Sequence, residues 1–243
     1  MHTTLQGNTG MITTLGLIQT LSYHGEPLTI TIPYKGLMLS QDLRLLHTGE
    51  DYAVLQAPNE RICAGLHDHV FIHSKSITQK IVAKIIEVNP QRGWIIISDL
   101  VTSTNPWQER RHDRVQPSQP LRVAICCGST SCAGTLDNLS LHGAGVLVYK
   151  FEEHPIKAKV GNPVQITFKL PNDKLPVKLN GKIVNFHFIS QILSKVGVET
   201  QLSARQEFLV KQYIQMRKMN ILTEVDNRWI LVQEPRSTKD LFF

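Results

Sequence analysis

The sequence predicts a mainly β protein: two small β-barrel domains in tandem, the second carrying a C-terminal helix. Three observations predict it. Short stretches that alternate apolar and polar side chains recur along most of the chain, the period-2 signature of half-buried strands. Turn-rich pieces at 47–51, 57–59 and 89–93 punctuate them at short intervals. Near the end the apolar period changes to that of a helix. A length of 243 residues, 42% of them apolar, suffices to bury one large core or two small ones.

The elements follow in order. Residues 1–25 are polar and weakly patterned, and read as a loose arm or a short edge element. Leu28-Thr29-Ile30-Thr31-Ile32 alternates cleanly as a strand, and Pro33 closes it. Further strands are expected at 52–56, 70–73, 80–88 and 93–98. Residues 101–120 break the pattern with three prolines and many polar side chains, so the domain boundary falls there. Strands resume at 121–127, 131–139, 145–148, 163–170, 177–189 and 195–200. In 204–220 the residues Leu209, Tyr213, Met216 and Met219 or Asn220 recur at helical spacing. Ser203 stands as N-cap and Glu207 lies near the first turn. The tail from 221 carries one more strand-like piece at 229–232. The expected division is an N-terminal β-rich domain at 1–105, an arginine-rich linker loop at 106–120, and a second barrel with helix and tail at 121–243.

Composition narrows the class. Charged residues are 19% and Gly plus Pro number 27, which argues against general disorder. The longest apolar runs fall far short of a membrane span, and no basic segment followed by an apolar block marks a signal peptide. Four cysteines are too few to staple a chain of this length, so a reducing compartment, the cytoplasm, is expected. Residues 1–105 hold 7 Lys and Arg against 8 Asp and Glu, whereas the remainder holds 19 against 12. That asymmetry suits an anionic partner for the second half, or a plain solvated basic face.

Chemistry concentrates in two pieces of that half. The linker reads Glu109-Arg110-Arg111-His112-Asp113-Arg114. Arginine offers planar paired donors that match phosphate oxygens and the O6/N7 edge of guanine, and it stacks on base faces. In an extended segment Arg110 and Arg114 share a side, with Arg111 opposite. The second piece is Asp137-Asn138-Leu139-Ser140-Leu141-His142-Gly143-Ala144-Gly145. Asn138 and Ser140 face the same way in an extended strand and offer hydrogen-bonding groups, while Gly143 and Gly145 leave backbone uncovered by a side chain. Alone, the first piece reads as a solvated basic linker and the second as a hairpin with glycines at its turn.

Together, Arg110-x-x-x-Arg114 and Asn138-x-Ser140-x-x-Gly143 resemble the paired signature of PilZ domains. The resemblance spans about residues 106–220 and includes Val196-Gly197-Val198-Glu199 and the terminal helix. It implies binding of the bacterial second messenger cyclic di-GMP as a regulatory ligand, with no cofactor. It assigns Arg110 and Arg114 to guanine edges and phosphates, with Arg111 assisting. Asn138 would bond a guanine and Ser140 a phosphate or base. Gly143 and Gly145 would allow close approach. Asn138 stands where many members carry aspartate, and Asp137 is expected to point away. Glu109 stands where a further basic residue accompanies binding of two stacked ligands, which favours one ligand per chain. The preceding β-rich domain resembles a flagellar-brake layout. That implies a domain rearrangement on binding, control of motility or exopolysaccharide through a flagellar motor component or another effector protein, and a bacterial cytoplasmic location with recruitment to the flagellar base.

Two other readings remain beside this one. An adaptor of the same fold would work through protein contacts without nucleotide. A basic nucleic-acid-binding barrel would use the same linker, but Trp107 is the one aromatic beside the basic residues, so nucleic acid is disfavoured. No catalytic motif is recognised and no enzyme is expected. His67, His69 and His73 lack further ligands of metal spacing, so they are read as strand and turn histidines. Cys126, Cys127 and Cys132 lack zinc spacing and are read as small packing groups.

Overall fold

The computed structural model describes residues 14–66, 68–75, 80–103, 112–149, 159–171, 173 and 175–233. It contains two closed antiparallel six-stranded barrels. The first uses β1 (Leu28–Tyr34), β2 (Leu37–Thr48), β3 (Tyr52–Gln56), β4 (His69–His73), β5 (Lys80–Asn89) and β6 (Trp94–Ser103). Their order around the barrel is β1-β2-β3-β6-β5-β4, and β4 closes onto β1 with Ile30 opposite Ile72. Closure pairs both edges of the sheet and gives its strands an inside and an outside, although β1 and β4 each bury three consecutive residues. Ile30, Leu55, Ile72, Ile81, Ile95 and Ile97 fill the inside, fully buried. Each such side chain contributes about 1.5–3 kcal/mol on leaving water.

The second barrel uses β7 (Arg122–Cys127), β8 (Thr130–Ser140), β9 (Gly143–Tyr149), β10 (Pro163–Phe168), β11 (Val177–Phe188) and β12 (Leu193–Gln201). Its order is β10-β11-β12-β9-β8-β7, closed by β7 against β10 with Ile125 opposite Ile166. Val146, Val148, Leu179, Val196 and Val198 supply the core from alternate positions. A long helix, α2 (Ala204–Gln233), follows β12. Ser203 caps it: its Oγ accepts from the Gln206 N–H at 3.4 Å, and the Gln206 side chain accepts from the Ser203 N–H at 2.8 Å. This reciprocal pair satisfies two backbone donors that the first turn otherwise leaves unpaired. Two compact units result, one holding the first barrel and the other the second barrel with α2 as far as Thr223.

The structure corrects several sequence expectations. Within 1–25, residues Thr14–Tyr23 form a helix, α1, which buries Ile18 and Leu21 in the first barrel's core; residues 1–13 lie outside those described. The helix ends in a Schellman motif. Glu26 N–H bonds Leu21 O and Gly25 N–H bonds Ser22 O, both at 3.0 Å, with Gly25 at φ 72°. Pro33 does not close the first strand, because it occupies an exposed position of β1. β2 went without an expected strand, since its buried positions Leu37 and Leu43 are separated by partly exposed ones that blur the alternation. β6 runs on to Ser103, three residues into the expected break at 101–120.

The stretch 229–232 is not a strand. It continues α2, in which Val225 and Trp229 are buried. The buried face of α2 is Val210, Tyr213, Ile214, Arg217, Ile221 and Val225, whereas Met216 and Met219 are exposed. A charged residue in the middle of that face hid its period. Ser203→Ala is expected to lower the stability of the second unit by about 0.5–2 kcal/mol in urea unfolding. Lys211→Ala, on the exposed face, should shift it far less; equal losses would contradict the capping role.

Candidate functional site

The residues singled out in the second half meet on one hairpin. β8 and β9 pair directly up to Ser140 opposite Gly143, so Leu141 and His142 form a two-residue turn. The Ser140 hydroxyl donates to Gly143 O at 3.0 Å and is nearly buried, which braces the turn. The register shifts between Leu136 and Asn138, so Asp137 is an extra residue in the ladder. Asp137 does not itself line the cavity described below, yet it touches two residues that do. Its Oδ2 accepts from Asn138 Nδ2 at 2.6 Å and lies 2.6 Å from Lys195 Nζ on β12.

Arg114 is brought there by the backbone. Val115 and Leu139 exchange two hydrogen bonds, each 3.0 Å, as an isolated antiparallel bridge. Both side chains are fully buried. In antiparallel pairing the residues on either side of the bridge also face one another, so Arg114 falls beside Ser140 and Gln116 beside Asn138. From α2, the buried Arg217 donates Nε to Gln116 O at 2.8 Å. Burying a guanidinium is costly unless its donors are satisfied, and here it holds the segment two residues from Arg114. Asp113 accepts from Lys218 of the same helix.

β11 and β12 build the facing wall. Asn185 lies opposite Gly197 and His187 opposite Lys195. A cavity of about 540 Å³ opens between that wall and the β8–β9 hairpin. Arg114, Asn138, Ser140, Gly143 and Gly145 all line it, together with His112, His142, Asn185, His187, Lys195 and Glu199. The volume lies within the usual range for small-molecule sites, about 300–1,000 Å³. The His112 and His142 rings meet with centroids 4.0 Å apart. Glu199 is paired with Lys182 at 2.8 Å.

Ionised carboxylates only accept hydrogen bonds, so Asp137 fixes the Asn138 amide with NH2 toward itself and leaves Oδ1 as the acceptor. That amide lies over Gly145, where a Cβ would come within 2.6 Å of Nδ2. At Gly143 the space is closed by backbone, since a Cβ there would lie 2.3 Å from Val198 O.

Arg110 and Arg111 lie outside the described residues, as does His67. His69 and His73 are on β4. The sequence reading missed His112, His142, Asn185, His187 and Lys195. Strand pairing alone brings the last three to the motif, whereas His112 and His142 stand inside the quoted segments and only their chemistry was overlooked. The three cysteines sit on the β7–β8 hairpin. Burial, with the neighbouring Cys126 and Cys127 adding to it, pushes the Cys132 thiol up to about 11, so it is a poor nucleophile near neutral pH.

The two glycines separate fold from site. Gly143→Ala must move backbone and is expected to cost about 1–3 kcal/mol in urea unfolding. Gly145→Ala meets a side-chain amide instead of backbone, so it should cost less than Gly143→Ala while the Asn138 side-chain resonances shift. Equal destabilisation by both would contradict this packing.

Residues 108–215 match the PilZ domain family model. No curated protein sequence matches the chain. Among solved structures, it is similar to YcgR in complex with c-di-GMP from Escherichia coli: 16% identity, 88% of this chain and 92% of that one, TM-score 0.43. It is also similar to the inhibitor of motility MotI/DgrA of Bacillus subtilis, with 13% identity over 81% and 97% of the chains and a TM-score of 0.39. The MrkH–c-di-GMP complex of K. pneumonia gives 9% identity, 87% and 94% coverage, and a TM-score of 0.41. The family match covers the second barrel and the first part of α2, including the arginine segment and the Asn138-x-Ser140-x-x-Gly143 turn, and residues 108–215 are a PilZ domain.

Proposed function

We propose that this protein is a receptor for cyclic di-GMP that acts through a protein partner and has no catalytic role. One observation carries the reading. The Val115–Leu139 bridge sets Arg114 beside Ser140, and both line a 540 Å³ cavity together with Asn138. Arg114 supplies the paired donors that suit phosphate or a guanine edge. Asn138 offers Oδ1 to the guanine N–H groups, and Gly145 leaves room for the amide that does so. Arg110 and Arg111 precede Arg114 by four and three residues and would add donors from the same segment. Because that segment leads from the first barrel into the second along the chain, capture of the ligand would alter the connection between them.

The output remains of the kind the sequence resemblance implies. Motility control through a flagellar motor component, or exopolysaccharide regulation, would follow from a ligand-dependent surface offered to another protein in the cytoplasm. No helix among the described residues is long and apolar enough to cross a membrane.

Calorimetric titration with cyclic di-GMP tests the site, with GTP and a single-stranded oligonucleotide as controls. Saturable binding of the cyclic dinucleotide alone is expected. Arg114→Ala should abolish it with the fold intact. Ser140→Ala should weaken it by about 0.5–1.5 kcal/mol, through loss of the hydroxyl's bond to Gly143 O that braces the turn. Unchanged affinity in Arg114→Ala would overturn the assignment. Comparable, salt-sensitive binding of the oligonucleotide would favour a nucleic-acid protein instead.

A further inference from the structure

We propose that Asp137 sets the base selectivity of the cavity: it holds the Asn138 amide in one orientation, turns an acceptor alone toward the ligand, and so admits guanine over adenine. This rests on the cavity being the cyclic di-GMP site and concerns how that site tells one cyclic dinucleotide from another.

An asparagine side chain has an acceptor and a donor, and its shape does not decide which of them faces a ligand. At Asn138 the neighbouring residue decides. Adjacent strand residues ordinarily face opposite ways. Here the pairing passes from Leu136 opposite Val146 directly to Asn138 opposite Gly145, so Asp137 is an extra residue and the two side chains meet. Asn138 Nδ2 donates to Asp137 Oδ2 at 2.6 Å. An ionised carboxylate has no hydrogen to give in return. The flipped amide would therefore set Oδ1 against Oδ2, two acceptors with no proton between them.

Two further contacts keep both partners in place. Lys195 Nζ on β12 lies 2.6 Å from the same Oδ2 and so anchors the carboxylate from the opposite strand. Gly145 leaves the space over its Cα to the amide: a Cβ there would come within 2.6 Å of Asn138 Nδ2 and 3.2 Å of its Oδ1. Asn138 lines the cavity and Asp137 does not, so Asp137 acts through the amide as a positioning residue.

The pairing edge of guanine carries hydrogens on N1 and N2, which suit Oδ1. In the same pose adenine presents the N1 lone pair and a C–H, so a fixed acceptor gains no bond there and is left unpaired. Selectivity is a difference of two affinities. The two cyclic dinucleotides carry the same charge, so phosphate contacts cancel in the comparison. Asp137→Asn removes a negative charge beside Lys195, which favours either ligand alike. It also gives position 137 a donor as well as an acceptor, so the Asn138 amide can turn Nδ2 toward adenine N1. Affinity for the adenine ligand should then rise more than affinity for the guanine one.

The test is calorimetric titration of the full chain with cyclic di-GMP and with cyclic di-AMP, at one pH and ionic strength, reading the ratio of the two Kd values. The parent is expected to favour the guanine ligand. In Asp137→Asn that ratio should fall by about tenfold, the worth of one hydrogen bond. The Asn138 side-chain amide protons should shift in the same variant without ligand. Asp137→Asn combined with Asn138→Asp keeps the net charge and turns a group with acceptors only toward the ligand, so the ratio should recover. Lys195→Met should weaken both ligands and leave the ratio as it was. Circular dichroism verifies each fold. An unchanged ratio in Asp137→Asn, no recovery in the double variant, or an equal fall in Lys195→Met overturns the inference and leaves the site standing. A parent that binds both ligands alike overturns it too. Absence of binding of either ligand by the parent overturns the site reading itself.

Discussion

Two hydrogen bonds between Val115 and Leu139 hold the candidate site together. Val115 lies outside the strands and pairs with Leu139 of β8, and both side chains are fully buried, so water is kept from these bonds. Each is worth only about 0.5–1.5 kcal/mol in net stability, yet breaking them in place would leave buried polar groups unpaired at greater cost. The bridge therefore fixes the register of the arginine segment against β8. Arg114 meets Ser140 as a consequence of backbone pairing, without relying on a flexible side chain to find its place. Arg217 strengthens the constraint from beneath, by donating to Gln116 O out of a buried position on α2.

The other elements serve that arrangement. Closure of the second barrel places β11 and β12 beside the β8–β9 hairpin, so the cavity has two rigid walls. The bulge at Asp137 turns a carboxylate toward Lys195 and Asn138, and this one group orients an amide and partly neutralises an ammonium. The proximity of Asp137 to Lys195 thus links the local fold to the electrostatics of the cavity.

Much of this was legible in the sequence because it is local. Strand alternation gave β3 with its observed bounds and nearly all of β5 and β7. The four described residues of the motif pair line the cavity, and so does Gly145 beside them. What escaped was non-local or masked by chemistry. Asn185, His187 and Lys195 reach the motif only through pairing of β11 with β12 and closure of the barrel. Arg217 interrupts the apolar face of α2, so the helix read as shorter and rotated toward Met216 and Met219. Asp137 reaches Asn138 and Lys195 from a bulge, which no residue type announces. The N-terminal helix did carry a signal, Gly25 followed two residues later by Pro27, but its ten residues are too few for a firm period.

Mapping backbone amide shifts of the labelled full chain during titration with cyclic di-GMP tests the central claim most directly. The account predicts the largest changes around Arg114, Asn138 to Gly145 and His187 to Gly197, saturating together with a single affinity. Changes centred elsewhere, or none in a folded and ligand-free sample, would contradict it.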